Sequence, residues 1–252
     1  MDIQPRKKFA EWACSLSGCD GGDPNADTWL CGIEWGGTYG SEEADMDYYQ
    51  RELREEIDKG TYVPGSRYDW EKHCEYRYGI SVAKLYAAYR GLDVDSYYEH
   101  IKNFSDTELF RLNLYPVSFR NTDYSLWHQY ELNKVTGFDD KELYRIWCFL
   151  YRFPAFAERV REYKPELIIG TGVSYVTDFF ACFAGNNGIA SQIKVGDLRP
   201  QSKSNQTRRR YYWCRLGTGT TLAIIPFFSG SYGLNSNYLL QQMGNSLRKM
   251  VG

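Results

Sequence analysis

Three short apolar runs constrain this chain most: Thr28–Glu34 (TWLCGIE), Glu166–Gly170 (ELIIG) and Thr221–Phe227 (TLAIIPF). Each is bounded by turn residues and reads as a buried strand. Leu109–Tyr115 and Tyr211–Leu216 are further strand candidates. Helix-patterned stretches lie between and after them. These are Asp45–Lys59, Trp70–Arg90 with an interruption near Gly79, Asp140–Tyr163, a segment from Gly172 to about Phe183, and Asn237–Met250. Pro154 is expected to kink or split the third of these. Strands separated by helices imply a mainly parallel sheet covered on both faces. The predicted fold class is therefore α/β, a three-layer α/β/α arrangement. No repeat or linker divides the chain, which predicts one domain over 1–252.

Composition narrows the function classes. A net charge of −2 excludes a generic polycation that coats nucleic acid. The charge is uneven, with eight acids and three bases from Glu42 to Lys59, but seven bases and one acid from Lys194 to Arg215. Such asymmetry points to a local anionic partner. The 22 Tyr, 13 Phe and 7 Trp fill a core, and aromatic rings also stack on bases. Seven scattered cysteines, without a CxxC pair, predict free thiols and a reducing cytoplasm. The charged start of the chain carries no apolar signal region, and no run approaches a membrane span, so no membrane partner is expected.

In a parallel sheet, ligands bind at the carboxyl ends of the strands. That rule directs attention to the residues after Glu34, Asn113, Gly170 and Pro226. At the first end stands Gly32-Ile33-Glu34-Trp35-Gly36. A carboxylate there is able to hold a water or steady a cationic sugar, and glycines admit close backbone approach. At the second, Asn113 offers both a donor and an acceptor for a base edge. Tyr68, in Ser66-Arg67-Tyr68, is a candidate stacking ring. Between Arg199 and Arg215, Lys203 and the run Arg208, Arg209 and Arg210 form a polar, cationic segment suited to phosphates. Each segment also fits a plain reading: a strand end with its turn, a helix start with buried aromatics, a solvated charged loop. His73, His100 and His128 lie in no motif and read as surface or core residues.

The order of these segments resembles the uracil-DNA glycosylase superfamily over about Thr28 to Gly244. That family carries G-x-[Asp/Asn]-P-[Gly/Tyr] after its first core strand, and this chain reads G-I-E-W-G. Glu34 stands at the water-activating position, Trp35 replaces the usual Pro, and Gly36 matches the mismatch-type branches. The family's N-R-F-W turn is similar to Ser66-Arg67-Tyr68 with Trp70, its strand-end Asn corresponds to Asn113, and Pro165–Gly172 is similar to a scaffold segment. The last family motif, H-P-S, falls on Pro226-Phe227-Phe228-Ser229, where Phe227 replaces the His that polarises the base oxygen. Ser229 retains the phosphate-binding Ser, and Tyr232 or Leu234 takes the wedge position.

The resemblance implies a DNA glycosylase. Glu34 and Asn113 would be its catalytic residues. Gly32, Ile33, Trp35, Gly36, Tyr68 and Phe227 would line the base pocket. Ser229, Tyr232, Lys203, Arg208, Arg209 and Arg210 would grip DNA. DNA is the expected partner of a monomeric enzyme with no metal or organic cofactor. The cysteines do not fit the spacing of the family's iron–sulfur branches. Gly36 and the missing His favour a pyrimidine enlarged at C5, such as the glucosylated 5-hydroxymethylcytosine of phage DNA. Uracil or thymine mismatch repair is the alternative substrate class. A non-catalytic module binding a modified base or nucleotide is the alternative of another kind, and an unrelated nucleotide-processing enzyme is a third.

Overall fold

A computed structural model describes residues 4–34, 46–62, 69–102, 108–119, 123–185, 188–201 and 207–252. Seven strands form one sheet: β1 (Gly21–Gly22), β2 (Thr28–Gly32), β3 (Leu109–Asn113), β4 (Leu167–Thr171), β5 (Lys194–Leu198), β6 (Arg209–Arg215) and β7 (Thr221–Ile225). Their spatial order is β1-β3-β2-β4-β7-β6-β5. The four central strands β3, β2, β4 and β7 are mutually parallel, and the flanking strands pair antiparallel. The sheet is therefore mixed, with a parallel centre. Every residue of β2, β3, β4 and β7 is buried, as expected of strands covered on both faces.

The helices are α1 (Lys7–Ala13), α2 (Met46–Lys59), α3 (Trp70–His73), α4 (Arg77–Tyr89), α5 (Tyr97–Lys102), α6 (Ser125–Gln129), α7 (Asn133–Thr136), α8 (Lys141–Trp147), α9 (Phe153–Tyr163), α10 (Val176–Phe183) and α11 (Asn237–Val251). Strand side chains alternate between two apolar clusters. Trp29, Cys31, Phe110, Leu112, Ile168 and Ile224 pack with α1, α2 and α8 to α10. Leu30, Leu109, Ile169, Ala223 and Ile225 pack with α4 and α11. This period of two across each strand explains why the runs look continuously apolar in sequence.

Two expectations are corrected and one holds. The break in the Trp70–Arg90 run falls at 74–76, and Gly79 lies inside α4. The Asp140–Tyr163 stretch is interrupted next to Pro154, as expected, into α8 and α9. A π-helical segment, Cys148–Arg152, precedes α9, and Pro154 occupies the first turn of that helix. The wider π turn accommodates the proline, which lacks an N–H and crowds the carbonyl four residues back. The basic region is not one loop, because Lys194–Leu198 and Arg209–Arg215 pair as an antiparallel ribbon. All seven cysteines are free thiols. No helix among the described residues is long and apolar enough to cross a membrane.

Candidate functional site

The chain runs from β2 to β3 on one side, then crosses back to place β4 on the other side of β2. Such a reversal of strand order is the place where ligands bind in open parallel sheets, at the carboxyl ends of the strands. Register aligns Gly32 with Asn113, and Thr171 with Ile225, so the ends of all four central strands lie at one edge. The turn after β4 seals onto the strand beside it, since Gly172 N–H donates to Ile225 O at 2.8 Å. Gly172 has φ +127, and a Cβ there would meet Ile33 Cδ1 at 2.7 Å. This glycine allows the close packing of Ile33.

Two polar clusters occupy this edge. The first is built on β3. Asn113 Nδ2 donates to Asp20 Oδ1 at 2.8 Å, and Asp20 Oδ2 lies 3.4 Å from Arg111. Arg111 contacts His73 Nε2 and lies under the rings of Trp70 and Tyr78. Burial, together with the Arg111 charge, lowers the His73 pKa to about 2, so its imidazole is neutral. Asn113 Oδ1 rests over Gly32, only 2.2 Å from where a Cβ on that residue would stand. Tyr78, on α4, joins the strands: its hydroxyl lies 3.2 Å from Thr171 Oγ1, and Thr171 in turn donates to Cys31 O. The Tyr78 ring is 5.8 Å from that of Phe227 and 5.3 Å from that of Phe228.

The second cluster is built on α8. Both Glu34 oxygens meet Lys141 Nζ, at 3.0 and 3.1 Å, and both side chains are at least 94% buried. Burial pushes the Glu34 carboxyl pKa up while Lys141 pulls it back. The lysine shifts down for the same reason, with Glu34 opposing. Lys141 Nζ also lies 3.9 Å from the Phe119 ring centre. One turn along α8, Arg145 pairs with Asp178 at 3.2 Å and is surrounded by the rings of Tyr115, Tyr124 and Tyr175.

Glu34 and Asn113 thus sit on adjacent strand ends but address different partners. Glu34 turns to α8, which packs with one apolar cluster. Asn113 lies with Asp20 and beside Tyr78, which packs with the other. Ile33 is half-buried at the same edge, and its carbonyl accepts from Tyr115 N–H. Phe227, 39% exposed, presents its ring there, and Tyr232, 70% exposed, follows in the next loop with exposed Ser229. Trp35, Gly36, Tyr68 and Lys203 lie outside the described residues.

Among the arginines, Arg209 is removed from the DNA-gripping set. It is 1% exposed, and its guanidinium donates to Gly233 O and Thr207 O, which ties β6 to the loop after β7. The period of two in β6 turns it inward, whereas Arg208 and Arg210 remain exposed, 3.5 and 3.7 Å from Asp197. Comparison with known proteins gives no family: no family model matches the chain, and no curated protein or solved structure matches it. The functional reading therefore rests on the geometry of this edge.

Sequence reading singled out none of Asp20, Tyr78, Arg111, Lys141, Arg145 and Asp178, and it set His73 aside as a surface or core residue. Two signals pointed to some of them. Arg111 alternates with apolar residues in a buried strand, and a buried charge needs a partner. Lys141 follows Asp140, whose carboxylate caps α8, so the lysine is fixed at the helix start. Two clefts elsewhere, of about 510 Å³ between α3 and α5 and about 400 Å³ between α1, α2 and α7, are lined by none of the candidate residues. Among the described residues no group of three or more His, Cys, Asp or Glu is placed to hold a metal ion.

Proposed function

We propose that this protein is a three-layer α/β/α DNA glycosylase that removes a flipped-out pyrimidine and leaves an abasic site. The observation that carries this reading is the meeting of four segments around Tyr78. Gly32 with Asn113, Thr171 and Phe227 come from four different strand ends, and each lies against this one side chain or its immediate neighbour. An exposed ring, a strand-end amide and a carboxylate two residues past Gly32 are the groups base excision needs: stacking, edge reading and support of a cationic sugar.

In this reading the base stacks on aromatic side chains at the strand ends and Asn113 takes its edge. Glu34 carries a fixed negative charge toward the sugar, whose C1′ becomes cationic as the base departs. Lys141 uses one lone-pair site on each Glu34 oxygen, and a carboxylate has about four such sites. The remaining sites are able to hold the attacking water. The base departs with the electron pair of the C1′–N bond, water adds to C1′, and the proton it loses passes by way of the carboxylate and solvent to the released base. The favoured substrate is a C5-enlarged cytosine, with uracil or thymine mispairs as the alternative.

A second reading is favoured by one observation: both Glu34 oxygens are already engaged by Lys141. A module that binds a base without cutting it needs no free carboxylate. One experiment separates the two. Plain, uracil-containing and glucosyl-hydroxymethylcytosine DNA are incubated with the protein and then treated with alkali. Strand breaks that vanish in Glu34→Gln support the glycosylase. Binding without breaks supports the module, and the absence of both binding and breaks removes DNA from consideration.

A further inference from the structure

One stretch of the helical layer is unlike the rest. α8, the π-helical Cys148–Arg152 and α9 follow one another without a loop. Where they join, Ile146, Phe149, Leu150 and Tyr151 are each between 45% and 59% exposed. Among the described residues no other six positions leave four large apolar side chains exposed. The outward face of a surface helix carries polar residues, and a contiguous apolar patch there marks a surface that something covers. The stripe is also held in place. Tyr151 stacks on Trp147 with ring centres 5.7 Å apart, and the Phe149 ring lies 5.7 Å from that of Phe153. Behind them the buried Arg152 guanidinium donates to Leu114 O, Asn113 O and Ala13 O. A surface preformed in this way loses little entropy on association.

We propose that this stripe is the interface of a homodimer, in which the helices of two copies pack antiparallel about a two-fold axis at Leu150. Two observations select a second copy as the occupant. The first is area. Four half-exposed side chains of this size supply roughly 400 Å² of apolar surface, most of the non-polar share of the ~800 Å² that each partner buries in a stable interface. The second is charge. Asp139, Asp140 and Glu142 stand at the start of the stretch, whereas Arg159, Arg161 and Lys164 outnumber Glu158 and Glu162 at its end. Antiparallel pairing sets each acidic end against the basic end of the other copy. Asp139 and Arg161 are equally far from Leu150 along the chain, so each faces its opposite charge across the axis, and symmetry makes the contact twice. A crossing angle of about 20° keeps two helices together over that length. The assembly is a dimer rather than the monomer that the resemblance implies. It does not depend on the base-excision reading, because none of its residues is assigned to the base or the sugar.

Sedimentation equilibrium of the full chain tests this over about 1 to 100 μM. Wild type is expected to reach twice the 29.3 kDa of one chain. Leu150→Glu places a charge on the axis in both copies and should weaken the dimer at least about a hundredfold. Thermal melting of that variant under dilute, monomeric conditions should be unchanged, because the position is exposed in the single chain. Asp139→Lys and Arg161→Glu should each weaken the dimer about three- to tenfold by setting like charges face to face. Combined in one chain, the two reversals should restore wild-type affinity, which a local effect of either change would not do. If Leu150→Glu does not fold, Ile146→Lys, one turn away on the same face, serves instead and should dissociate the dimer. A wild-type chain that stays monomeric throughout, a dimer that the charged variant leaves intact, or a double reversal no tighter than the single ones overturns the proposal.

Discussion

Lys141 Nζ bridges both carboxylate oxygens of Glu34, at 3.0 and 3.1 Å, in a site where the two side chains are 1% and 6% exposed. The pair fixes the end of β2 to the start of α8. Breaking a buried pair from one side leaves a charge without compensation, which costs about 3–5 kcal/mol. Lys141→Met is therefore expected to lower unfolding free energy by about that amount in urea titrations. Adding Glu34→Gln to it should restore part of the loss, because the orphaned charge is removed. A double variant no more stable than Lys141→Met would show that the lysine acts by packing against Phe119 alone.

Gly32 is required by the position of Asn113. A methyl group at 32 would stand 2.2 Å from Asn113 Oδ1, well inside contact distance. Gly32→Ala should displace the amide and cost about 1–3 kcal/mol through overpacking. It should also abolish any preference between bases. Calorimetric melting and the binding assay read these two effects separately.

His73 and Glu56 predict opposite responses to pH. The folded pKa of His73 is lowered to about 2 by burial and then by Arg111. Between about 2 and the ordinary value of 6.5 the unfolded chain binds the extra proton, so stability is lost as pH falls through that window. His73→Gln should flatten the acid side of the stability curve. Burial, with the Asp20 charge second, raises the Glu56 carboxyl to about 8, and its Oε2 has no hydrogen-bond partner among the described residues. Here the folded state keeps a proton that the unfolded state has released. Stability should fall as pH rises from about 4.5 to about 8, and Glu56→Gln should remove that fall. Chemical denaturation at pH 3, 5, 7 and 9 checks both, and parallel curves for variant and wild type would refute either assignment.

Three consecutive arginines are expected to separate into two kinds. Arg209→Ala removes buried hydrogen bonds from a charged group, each worth about 1.5–3 kcal/mol, and should destabilise strongly. Arg208→Ala and Arg210→Ala remove exposed charges and should change stability by about 0.5 kcal/mol or less. If the ribbon touches DNA, only the latter two should weaken binding while leaving melting unchanged. Equal melting behaviour for all three would contradict the inward turn of Arg209.

Much of the framework was legible without coordinates. The runs at 28, 167 and 221 became the parallel centre because apolarity on both faces suits no other place in a mixed sheet. Their spacing by helices also placed Gly32, Asn113 and Phe227 at strand ends, which local pattern alone determines to within a residue or two. What β5 would do was hidden, since Lys194–Leu198 is largely exposed and carries no apolar period. The inward turn of Arg209 was hidden too, because a charge run reads the same whether one member is buried or none.

Partner choice was decided only by the tertiary structure. Glu34 meets a lysine 107 residues away, and Asn113 meets an aspartate 93 residues away. Tyr78 reaches a threonine at the same separation of 93. Sequence determines which side chains carry charge and which strand ends expose them. It does not determine which two groups meet, because that depends on how the helices pack against the sheet and on which polar groups their packing shuts away from water.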